Sequence, residues 1–499
     1  MDYSTFFLIL SFFLTFIYAL ILSSRRNWRL PPGPYPFPII GNILKLGDNP
    51  HVSLATLSKR YGPLMSLKLG SRTTIVVSSP EIAKEFFHTH DRSFSSRSIP
   101  EAARVVEHHK FSIVWLPAGD QWRRLRRITK ENLFSVQCLD TSELLREEKV
   151  HELIDHVDQC CKHEKAVNVG AAAFTTMLNI FSNLVFSMDF AQYDSISSQE
   201  FKDTVWALME VGGKANIVDY FPILKPIDPQ GLVRWVYVCG RKLLTIFDRV
   251  IDQRLERRSS SSFYDDNSSM DVLESLLNLN LKDEPEFGRD DMRHLFLDIF
   301  LAGTDTISST LEWAVSELIR NPDKMEMARL ELTELVKNEG RNIQEQDISQ
   351  LPYLQAIIKE TLRLHPAAPF LIPHQAIHDV EVQGFIVPKN SQILFNVWAM
   401  GRDPKMWLDP ETFMPERFLD VEIDYKGQNF ELIPFGAGRR ICPGLNFAHR
   451  MLHMVLGSLI QKFDWKLVGN IRPQDMDMKE KFGITLQRNA PLMAIPIKL

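Results

Sequence analysis

The hydrophobic pattern of the chain begins with a long apolar run that contains no charged residue. From Tyr3 to Leu22 twenty residues pass without a charge, and a helix of that length spans about 30 Å, the thickness of a bilayer's hydrocarbon core. Arg25, Arg26 and Arg29 follow, which by the positive-inside rule places the rest of the chain on the cytoplasmic side. A cleavable signal peptide fits less well because its charges precede the apolar run, and a buried core helix normally shows a polar face. The pattern predicts an uncleaved membrane anchor over residues 1–24.

A proline-rich segment follows the apolar run. Leu30–Pro38 holds five prolines in nine residues. Proline fixes φ and cannot continue a helix, so the segment is expected to be a stiff, extended connector rather than a flexible tether. Together with the arginines before it, it forms a predicted basic and proline-rich hinge over residues 25–38.

The rest of the chain, residues 39–499, alternates long helical patterns with short strand-like runs. The 3.6-residue apolar period predicts helices at Gln121–Ser135, Ser142–Cys161, Ala171–Phe186, Leu232–Arg258, Arg289–Arg320, Lys324–Glu339 and Asp347–Leu364. Period-two alternation predicts a hairpin from Leu64–Leu69 and Thr73–Val77, and further strands at Val380–Val387, Gln392–Asn396 and near the C-terminus. The serine-rich stretch Ser259–Ser269 predicts an exposed loop. The fold class expected is one large, mainly α domain with a small β region.

Composition excludes several classes of protein. Of 499 residues, 45% are hydrophobic and 24% charged, which rules out a disordered, collagen-like or polytopic membrane chain. Lys and Arg number 57 against 62 Asp and Glu, so the net charge gives no support to nucleic-acid binding. The five cysteines are odd in number and form no C-x-x-C pair. A disulfide framework or a zinc module is therefore excluded, and a reducing compartment is favoured.

One cysteine lies in an unusual loop. Cys442 stands in Phe435–Gly444, which holds three glycines and a proline and is expected to turn tightly around the thiol. Arg439 and Arg440 precede it, and an apolar helix begins at Leu445. Positive charge and a helix N-terminus both favour a thiolate. For an isolated cysteine, an inert buried side chain is the alternative.

This loop carries a resemblance to a known family. The pattern F-x-x-G-x-R-x-C-x-G is met at Phe435, Gly438, Arg440, Cys442 and Gly444, and it resembles the heme-binding loop of cytochrome P450 enzymes. The resemblance implies the cytochrome P450 fold behind one transmembrane helix. It also implies that Cys442 is the axial thiolate ligand of a heme iron. Phe435 and Gly436 would then contact the heme.

The resemblance extends to a buried charge network. Glu360 and Arg363 share one face of a predicted helix, and alone they would be a surface pair of little energetic value. They resemble the E-x-x-R motif of the family, and Pro415–Phe418 resembles its P-E-R-F segment. The resemblance implies that Glu360, Arg363 and Arg417 form a structural network behind the heme loop.

The long predicted helix contains a motif that is unfavourable for a helix. Phe300–Thr306 reads FLAGTDT, and Gly and Thr are poor interior choices. The run resembles the family's A/G-G-x-D/E-T. It implies that Ala302 and Gly303 form a slot over the heme, and that Asp305 and Thr306 relay protons to the oxygen site as the catalytic pair. Ile307 departs from the usual Thr or Ser without disturbing that pair. The alternative is a helix-bending Thr beside a surface Asp.

Three further positions resemble heme-propionate contacts. Trp122 and Arg126 match W-x-x-x-R on one helical face, and Arg126 and Arg440 would bind the propionates as guanidinium–carboxylate pairs. His374 stands where many members of the family carry Arg. An imidazole can still donate to a propionate, with a weaker electrostatic grip, although an isolated His is more often structural.

The expected substrate pocket is apolar with one exception. By position in the family, the residues facing the substrate are Phe111, Ile113, Asp298, Ala302, Phe370, Leu371, Ile372, Phe482 and Ile484. Asp298 precedes Ala302 by four residues and shares its helical stripe. We expect Asp298 to accept a hydrogen bond from a substrate hydroxyl or from a neighbouring polar group. A pair with a surface cation such as Arg293 is the alternative.

The nearest likeness within the family is to plant microsomal enzymes of the geraniol 8-hydroxylase type. It rests on Ser66–Gly70, Asp219–Leu224, Asp228–Gly231 and Glu480–Gln487. The expected reaction is dioxygen-dependent hydroxylation of a small apolar plant metabolite, a monoterpenol or another terpenoid. A phenolic, tyrosine-derived substrate, a reductase-independent isomerase and a non-catalytic heme carrier are the alternatives.

The likeness also implies partners and a location. No G-x-G-x-x-G follows a strand, so NADPH is expected to act only through a partner, NADPH–cytochrome P450 reductase. The reductase would dock beside Arg439 and Lys462, and membrane lipid would hold the N-terminus. The expected location is the endoplasmic reticulum membrane, with a single span and the catalytic domain facing the cytosol.

Overall fold

A computed structural model describes residues 3–23, 29–193, 196–260, 271–282, 287–336 and 341–499. Its helices are Tyr3–Ser23, Pro50–Tyr61, Pro80–Lys84, Glu101–Arg104, Asp120–Thr129, Val136–Thr141, Glu143–Lys162, Val169–Phe186, Ile196–Gly213, Ile217–Tyr220, Leu232–Ser260, Val272–Lys282, Arg289–Arg320, Pro322–Val336, Pro352–Leu364, Val397–Met400 and Leu445–Lys462. Its strands are Leu64–Leu69, Arg72–Val77, Ser96–Arg97, Val167–Asn168, His374–Gln375, Val380–Val382, Phe385–Val387, Gln392–Phe395, Phe463–Leu467, Glu480–Lys481, Gln487–Arg488 and Met493–Lys498. The mainly helical prediction with small sheets is confirmed.

The long helix Arg289–Arg320 forms the centre of the core. It packs against Val169–Phe186, Pro352–Leu364 and Leu445–Lys462, and most of its residues are buried. Phe296 of this helix meets Phe186 edge to face at 5.0 Å, and Phe300 stacks with Phe247 at 5.4 Å. Each fully buried Phe contributes about 1.5–3 kcal/mol, so the central helix is held firmly under the site it carries.

A five-stranded sheet closes one side of the site. The predicted hairpin pairs Leu64–Leu69 with Arg72–Val77 in antiparallel register. Gln392–Phe395 joins it in parallel, and His374–Gln375 then pairs antiparallel with that strand. Ser96–Arg97 completes the edge. This order brings segments more than 300 residues apart into one layer, since Thr74 pairs with Gln392.

Two predicted elements differ from the structure for local reasons. Asp347–Leu364 is divided into a tight turn, Glu345–Gln350, and the helix Pro352–Leu364, because proline favours the first position of a helix. Val380–Val387 is a hairpin rather than one strand, since Gln383 and Gly384 turn with positive φ. The predicted loop Ser259–Ser269 lies mostly outside the described residues, and the helix before it extends to Ser260.

The hinge lies against the first strand. Ser66 N–H donates to Pro32 O at 2.8 Å, and the Ser66 hydroxyl donates to Pro31 O at 2.6 Å. A Cβ on Gly33 would stand 1.9 Å from Ser66 O, so only glycine permits this approach. The described part of the hinge is thus fixed to the body, while Arg25 and Arg26 fall outside the described residues.

The N-terminal helix has an exposed apolar surface. Tyr3, Phe7, Leu8 and Phe12 are each at least 66% exposed. Within the described ranges, one helix is long and apolar enough to cross a membrane, Val169–Phe186, and it is 83% buried, which marks it as a core helix. The span at the N-terminus and the division into anchor, hinge and catalytic domain remain predictions.

Candidate active site

The cysteine loop is a tight turn held by its own backbone. Gly436 and Gly438 adopt φ of 72° and 63°, values that side-chain-bearing residues rarely adopt. Cys442 N–H donates to Phe435 O at 3.0 Å, and the helix Leu445–Lys462 starts three residues later. The thiol therefore stands at the entrance of a helix, as the sequence indicates.

The charge that acts on the thiol is not the one expected. Burial raises the pKa of Cys442, and this is opposed by the Gly444 N–H and the Arg126 guanidinium. Arg439 instead pairs with Asp91, while Arg440 donates to backbone carbonyls, including Ser95 O at 2.8 Å. The sequence pointed to Arg439 and Arg440, whereas the cation that lowers the pKa of Cys442 is Arg126.

Cys442 opens onto an apolar cavity of about 260 Å³. The long helix supplies the facing wall through Ala302, Gly303 and Thr306, while Phe435 and Gly436 line the cysteine side. A Cβ on Gly303 would lie 2.4 Å from the Phe181 ring, so this glycine is required by helix packing as well as by the cavity. The two sequence motifs thus form opposite faces of one cavity.

Four basic side chains line the same cavity: Arg97, Arg126, His374 and Arg440. Among the described residues, none of the three arginines forms an ion pair, and Arg97 Nε has no hydrogen-bond partner. Burial lowers the pKa of Arg440 to about 10, with repulsion from Arg126 adding to it, and lowers that of Arg97 as well. Buried cations without counterions are costly. The cluster therefore fits a flat group that carries carboxylates, as a heme with its two propionates does.

Arg97 is a functional candidate that sequence reasoning missed. Ser93–Pro100 contains no other charged residue. This isolated positive charge is a signal that could have identified Arg97. Its edge strand places it against the cavity, where Nη1 donates to Ile372 O at 2.5 Å. Trp122, by contrast, supports the cations: its ring lies 4.4 Å from the Arg440 guanidinium, and its Nε1 donates to Ile113 O at 3.0 Å.

The buried His374 has a fixed tautomer. Its Nδ1 lies 2.7 Å from Phe94 O, and because a carbonyl only accepts, Nδ1 carries a proton. A neutral His374 then has no proton on Nε2 and cannot donate to a carboxylate from that atom. Burial lowers the pKa of His374, with Arg97 contributing. The expectation that the neutral ring donates to a propionate therefore needs correction: only the protonated ring can do so.

The members of the Asp305–Thr306 pair face different surroundings. Thr306 lines the cavity and donates to Ala302 O at 2.7 Å. Asp305 is 1% exposed, so it is not the surface Asp of the alternative interpretation. It accepts a hydrogen bond from Gln487 Nε2 at 2.8 Å. Burial raises the pKa of Asp305 to about 6, against the opposing effects of Thr485, Gln487 and Trp206. The carboxyl can thus exchange a proton near neutral pH.

Two smaller chambers adjoin the main cavity, with volumes of about 140 and 190 Å³. Ile372 lines all three spaces, Asp298 and Ala302 line the main cavity and the 140 Å³ chamber, and Leu371 lines the main cavity and the 190 Å³ chamber. The predicted pocket residues are distributed as follows: Ile113 in the main cavity, Ile484 in both chambers, and Phe370 and Phe482 in the 190 Å³ chamber. Phe111 is placed elsewhere, with its ring stacked 5.2 Å from that of His294.

The 140 Å³ chamber also has lining residues that the sequence did not indicate. They are Leu208, Met209 and Gly212 from Ile196–Gly213, Val236 and Gly240 from Leu232–Ser260, and Leu297 and Leu301 from the central helix. The helices Ile196–Gly213 and Leu232–Ser260 carry no motif, and their apolar faces look like ordinary core faces in the sequence. Tertiary contacts alone show that they line a chamber.

Asp298 is the acidic residue in the wall shared by the main cavity and this chamber. It is 5% exposed and accepts hydrogen bonds from the Ser112 hydroxyl at 2.7 Å and the Ile113 N–H at 2.8 Å. His108 Nε2 lies 3.1 Å away. The alternative pair is not formed, because Arg293 pairs with Asp248 and Asp290. Asp298 thus ties the 108–113 segment to the central helix while bordering the cavity.

A second histidine extends this cluster. His294 Nδ1 lies 3.0 Å from His108 Nδ1. Burial and the neighbouring His108 lower the pKa of His294 to about 3, so this ring is neutral at physiological pH. If His108 donates from Nε2 to Asp298, its Nδ1 accepts from His294, and one chain of hydrogen bonds joins the three side chains.

The predicted charge network is assembled, with Glu360 and Arg363 buried and Arg417 half-buried. Glu360 accepts from Arg363 at 2.6 and 2.7 Å, from Arg417 at 3.0 Å and from the Met414 N–H at 2.7 Å. Arg363 also donates to Pro410 O at 2.8 Å. The network therefore fixes the chain around residues 401–417 against the helix Pro352–Leu364.

Comparison with known proteins agrees with this geometry. The family model described as Cytochrome P450 matches residues 31–493. The chain is 56% identical over 478 residues to Cytochrome P450 76T24 from Catharanthus roseus, covering 96% of this chain and 95% of that one. It is 50% identical over 499 residues to geraniol 8-hydroxylase from the same plant, covering 100% of both. The geraniol 8-hydroxylase from Swertia mussotii is 49% identical over 488 residues, covering 98% of this chain and 97% of that one.

Proposed function

Because this chain belongs to the cytochrome P450 family and is a heme-thiolate monooxygenase, we propose that its substrate is a small apolar plant terpenoid, with a monoterpenol such as geraniol as the first candidate. The observation that carries the proposal is the apolar chamber beside the cavity, which has a carboxylate in the wall they share. An apolar body with one hydroxyl group is complementary to that lining. The sequence identity of 50% and 49% to two geraniol 8-hydroxylases supports the same substrate class.

We assign the cofactor contacts from the lining of the cavity. Cys442 would supply the axial thiolate, and Arg97, Arg126 and Arg440 would bind the propionates. When bound, the heme supplies the oxygen-activating chemistry, which a thiolate ligand favours. Phe435 and Gly303 line the same cavity and would contact the heme, so the chain's own contribution is to orient the heme and shield it from water.

The protons that the reaction needs would come from the central helix. The Thr306 hydroxyl borders the cavity, and the adjacent Asp305 carboxyl titrates near neutral pH. In this proposal Asp305 holds a proton below about pH 6 and exchanges it readily above. Thr306 hands protons on at the cavity wall.

Electron supply and membrane attachment are part of the same proposal. Electrons would come from NADPH through a flavoprotein reductase docking on the cysteine side of the heme, near Arg439 and Lys462. The exposed apolar side chains of the N-terminal helix support a lipid anchor in the endoplasmic reticulum membrane. A helix of that surface composition is unfavourable in water and favourable in a bilayer.

We expect Asp298 to accept the substrate hydroxyl. A carboxylate offers about four acceptor positions, and Ser112, Ile113 and His108 occupy three. Replacing Asp298 with Asn should raise the KM for geraniol by about tenfold, since hydrogen bonds to charged groups contribute about 1.5–3 kcal/mol. It should also change the position of hydroxylation. Steady-state kinetics with product analysis by gas chromatography and mass spectrometry measure both effects.

Two controls separate recognition from structure. Ser112→Ala removes one bond that ties the 108–113 segment to the helix but keeps the carboxylate, so it should change the KM much less. The hydrocarbon lacking the hydroxyl should be converted equally by wild type and Asp298→Asn. An Asp298→Asn enzyme with unchanged KM and regioselectivity would show that Asp298 serves only the loop.

The substrate class is tested on the purified full-length protein. A spectral binding screen over terpenols, larger terpenoids and phenols, followed by turnover with a plant reductase and NADPH, should give the strongest binding and a hydroxylated product with monoterpenols. Preferential conversion of tyrosine or another phenol would overturn the terpenoid assignment. Product formation from hydroperoxides without NADPH would instead indicate an isomerase.

A further inference from the structure

The C-terminal segment Thr485–Arg488 packs directly against the central helix beside the Asp305 carboxyl. Ser309 Oγ and Trp313 Nε1 both donate to Leu486 O, at 3.1 and 3.2 Å. Gln487 is half-buried, and its amide Nε2 donates to Asp305 Oδ1 at 2.8 Å. The segment therefore contacts the helix in two ways. Its backbone carbonyl at Leu486 accepts from helix side chains, and its Gln487 side chain donates to Asp305.

We propose that Gln487 is a positioning residue for proton delivery, whose side-chain amide fixes the orientation of the Asp305 carboxyl behind the cavity wall. The inference rests on the proposed role of Asp305 and extends it to a residue outside the long helix. Asp305 does not line the main cavity, whereas Thr306 does. Its carboxyl can serve the cavity only if its rotamer is held, because a free carboxyl samples several orientations. The Gln487 amide is a neutral donor at 2.8 Å that can hold it.

The charged groups nearby do not take this role. On the same helix Glu312 accepts from the Leu492 N–H at 2.7 Å, and burial raises the pKa of Glu312 with a smaller contribution from Asp305. Arg488 interacts with Glu312 and Asp477. From Ile196–Gly213 the neutral indole of Trp206 acts on the Asp305 carboxyl, as does the Thr485 hydroxyl. A neutral surrounding of this kind makes the state of Asp305 sensitive to loss of a single donor.

Replacing Gln487 with Met keeps the side-chain length and removes the amide. Because a hydrogen bond to the ionised carboxyl favours that form, the pKa of Asp305 should rise above its wild-type value in Gln487→Met. Infrared titration of the heme-loaded protein detects the protonated carboxyl directly, and Asp305→Asn identifies its band. In turnover, the fraction of NADPH that yields product rather than hydrogen peroxide should fall about threefold or more. The pH at which this fraction is highest should move upward.

Ser309→Ala is the matched control. It removes a bond between the same segment and the same helix but leaves the Gln487 amide and Asp305 in place. It should leave both the infrared titration and the pH optimum unchanged. Gln487→Asn retains an amide on a side chain one methylene shorter, so it should shift the pKa of Asp305 less than Gln487→Met does. If Gln487→Met folds poorly, Gln487→Asn serves as the test variant in its place.

An Asp305 titration in Gln487→Met that matches wild type would overturn the proposal. So would an equal shift in Ser309→Ala, since displacement of the segment would then explain the effect. The infrared result needs no substrate, so it decides the role of Gln487 even if the terpenoid assignment fails. Conversely, unchanged coupling in Asp305→Asn would refute the proton-delivery role and leave the infrared shift as a purely structural contact.

Discussion

Replacing Cys442 with Ser is expected to abolish hydroxylation and the thiolate signature of the reduced carbon-monoxide complex. A serine hydroxyl is not ionised at neutral pH, whereas the Cys442 thiol has the Gly444 N–H, Arg126 and a helix N-terminus to favour its anion. Loss of a ligand with this role costs several orders of magnitude in rate, about 10³-fold or more. The reduced difference spectrum and product formation per bound heme measure the two effects.

The control for this substitution is another cysteine. Cys239 lies on the helix Leu232–Ser260, and its side chain lines none of the three cavity spaces. Cys239→Ser should retain the spectrum and the activity. If Cys442→Ser keeps a thiolate-type spectrum, the ligand is a different residue and the assignment of the whole cavity fails with it.

The second large effect is expected at Glu360. Removing one partner from a buried ion pair costs about 3–5 kcal/mol, and Glu360 is 0% exposed while holding Arg363, Arg417 and the Met414 N–H. Glu360→Ala should lose a large share of the about 5–15 kcal/mol that stabilises a typical domain. Urea unfolding followed by circular dichroism, together with heme content after expression, measures this loss.

Two comparisons make the result interpretable. Glu360→Gln keeps the shape and one acceptor, so it should unfold between wild type and Glu360→Ala if the alanine variant is too unstable to purify. Glu411 pairs with Arg402 at 3.2 Å but is 73% exposed, so Glu411→Ala should change stability by less than about 1 kcal/mol. Equal losses at Glu360 and Glu411 would contradict a buried structural network.

Whether a feature could be predicted from the sequence depends on how far apart along the chain its residues lie. The helix Arg289–Arg320 and the hairpin Leu64–Leu69 with its partner were predictable, because local apolar periods determine them. The splitting of Asp347–Leu364 was missed although Pro352 marks it. Short strands such as Ser96–Arg97 have no period to detect, and they form only because the sheet gathers distant segments.

The site divides in the same way. Cys442, Thr306 and the Glu360 network stand in dense motifs, and in the structure Cys442 and Thr306 line one cavity while Glu360 pairs with Arg363 and Arg417. No motif indicates these roles for Arg97 or Gln487, because their partners Ile372 and Asp305 lie 275 and 182 residues away along the chain. Asp298 was singled out by its helical stripe, but Ser112 and His108, which contact its carboxyl group, come from another segment.

The sequence by itself determined the family, the candidate ligand cysteine, the helical character and the apolar N-terminal run, because each is encoded in neighbouring residues. Only the tertiary structure decided which cations face the cavity, how His374 is protonated, and where the Asp305 carboxyl is held. Those properties depend on burial and on hydrogen bonds between segments far apart in the chain. Burial and long-range contacts form only when the chain is folded. For that reason the motifs predicted only part of the chemistry of this site.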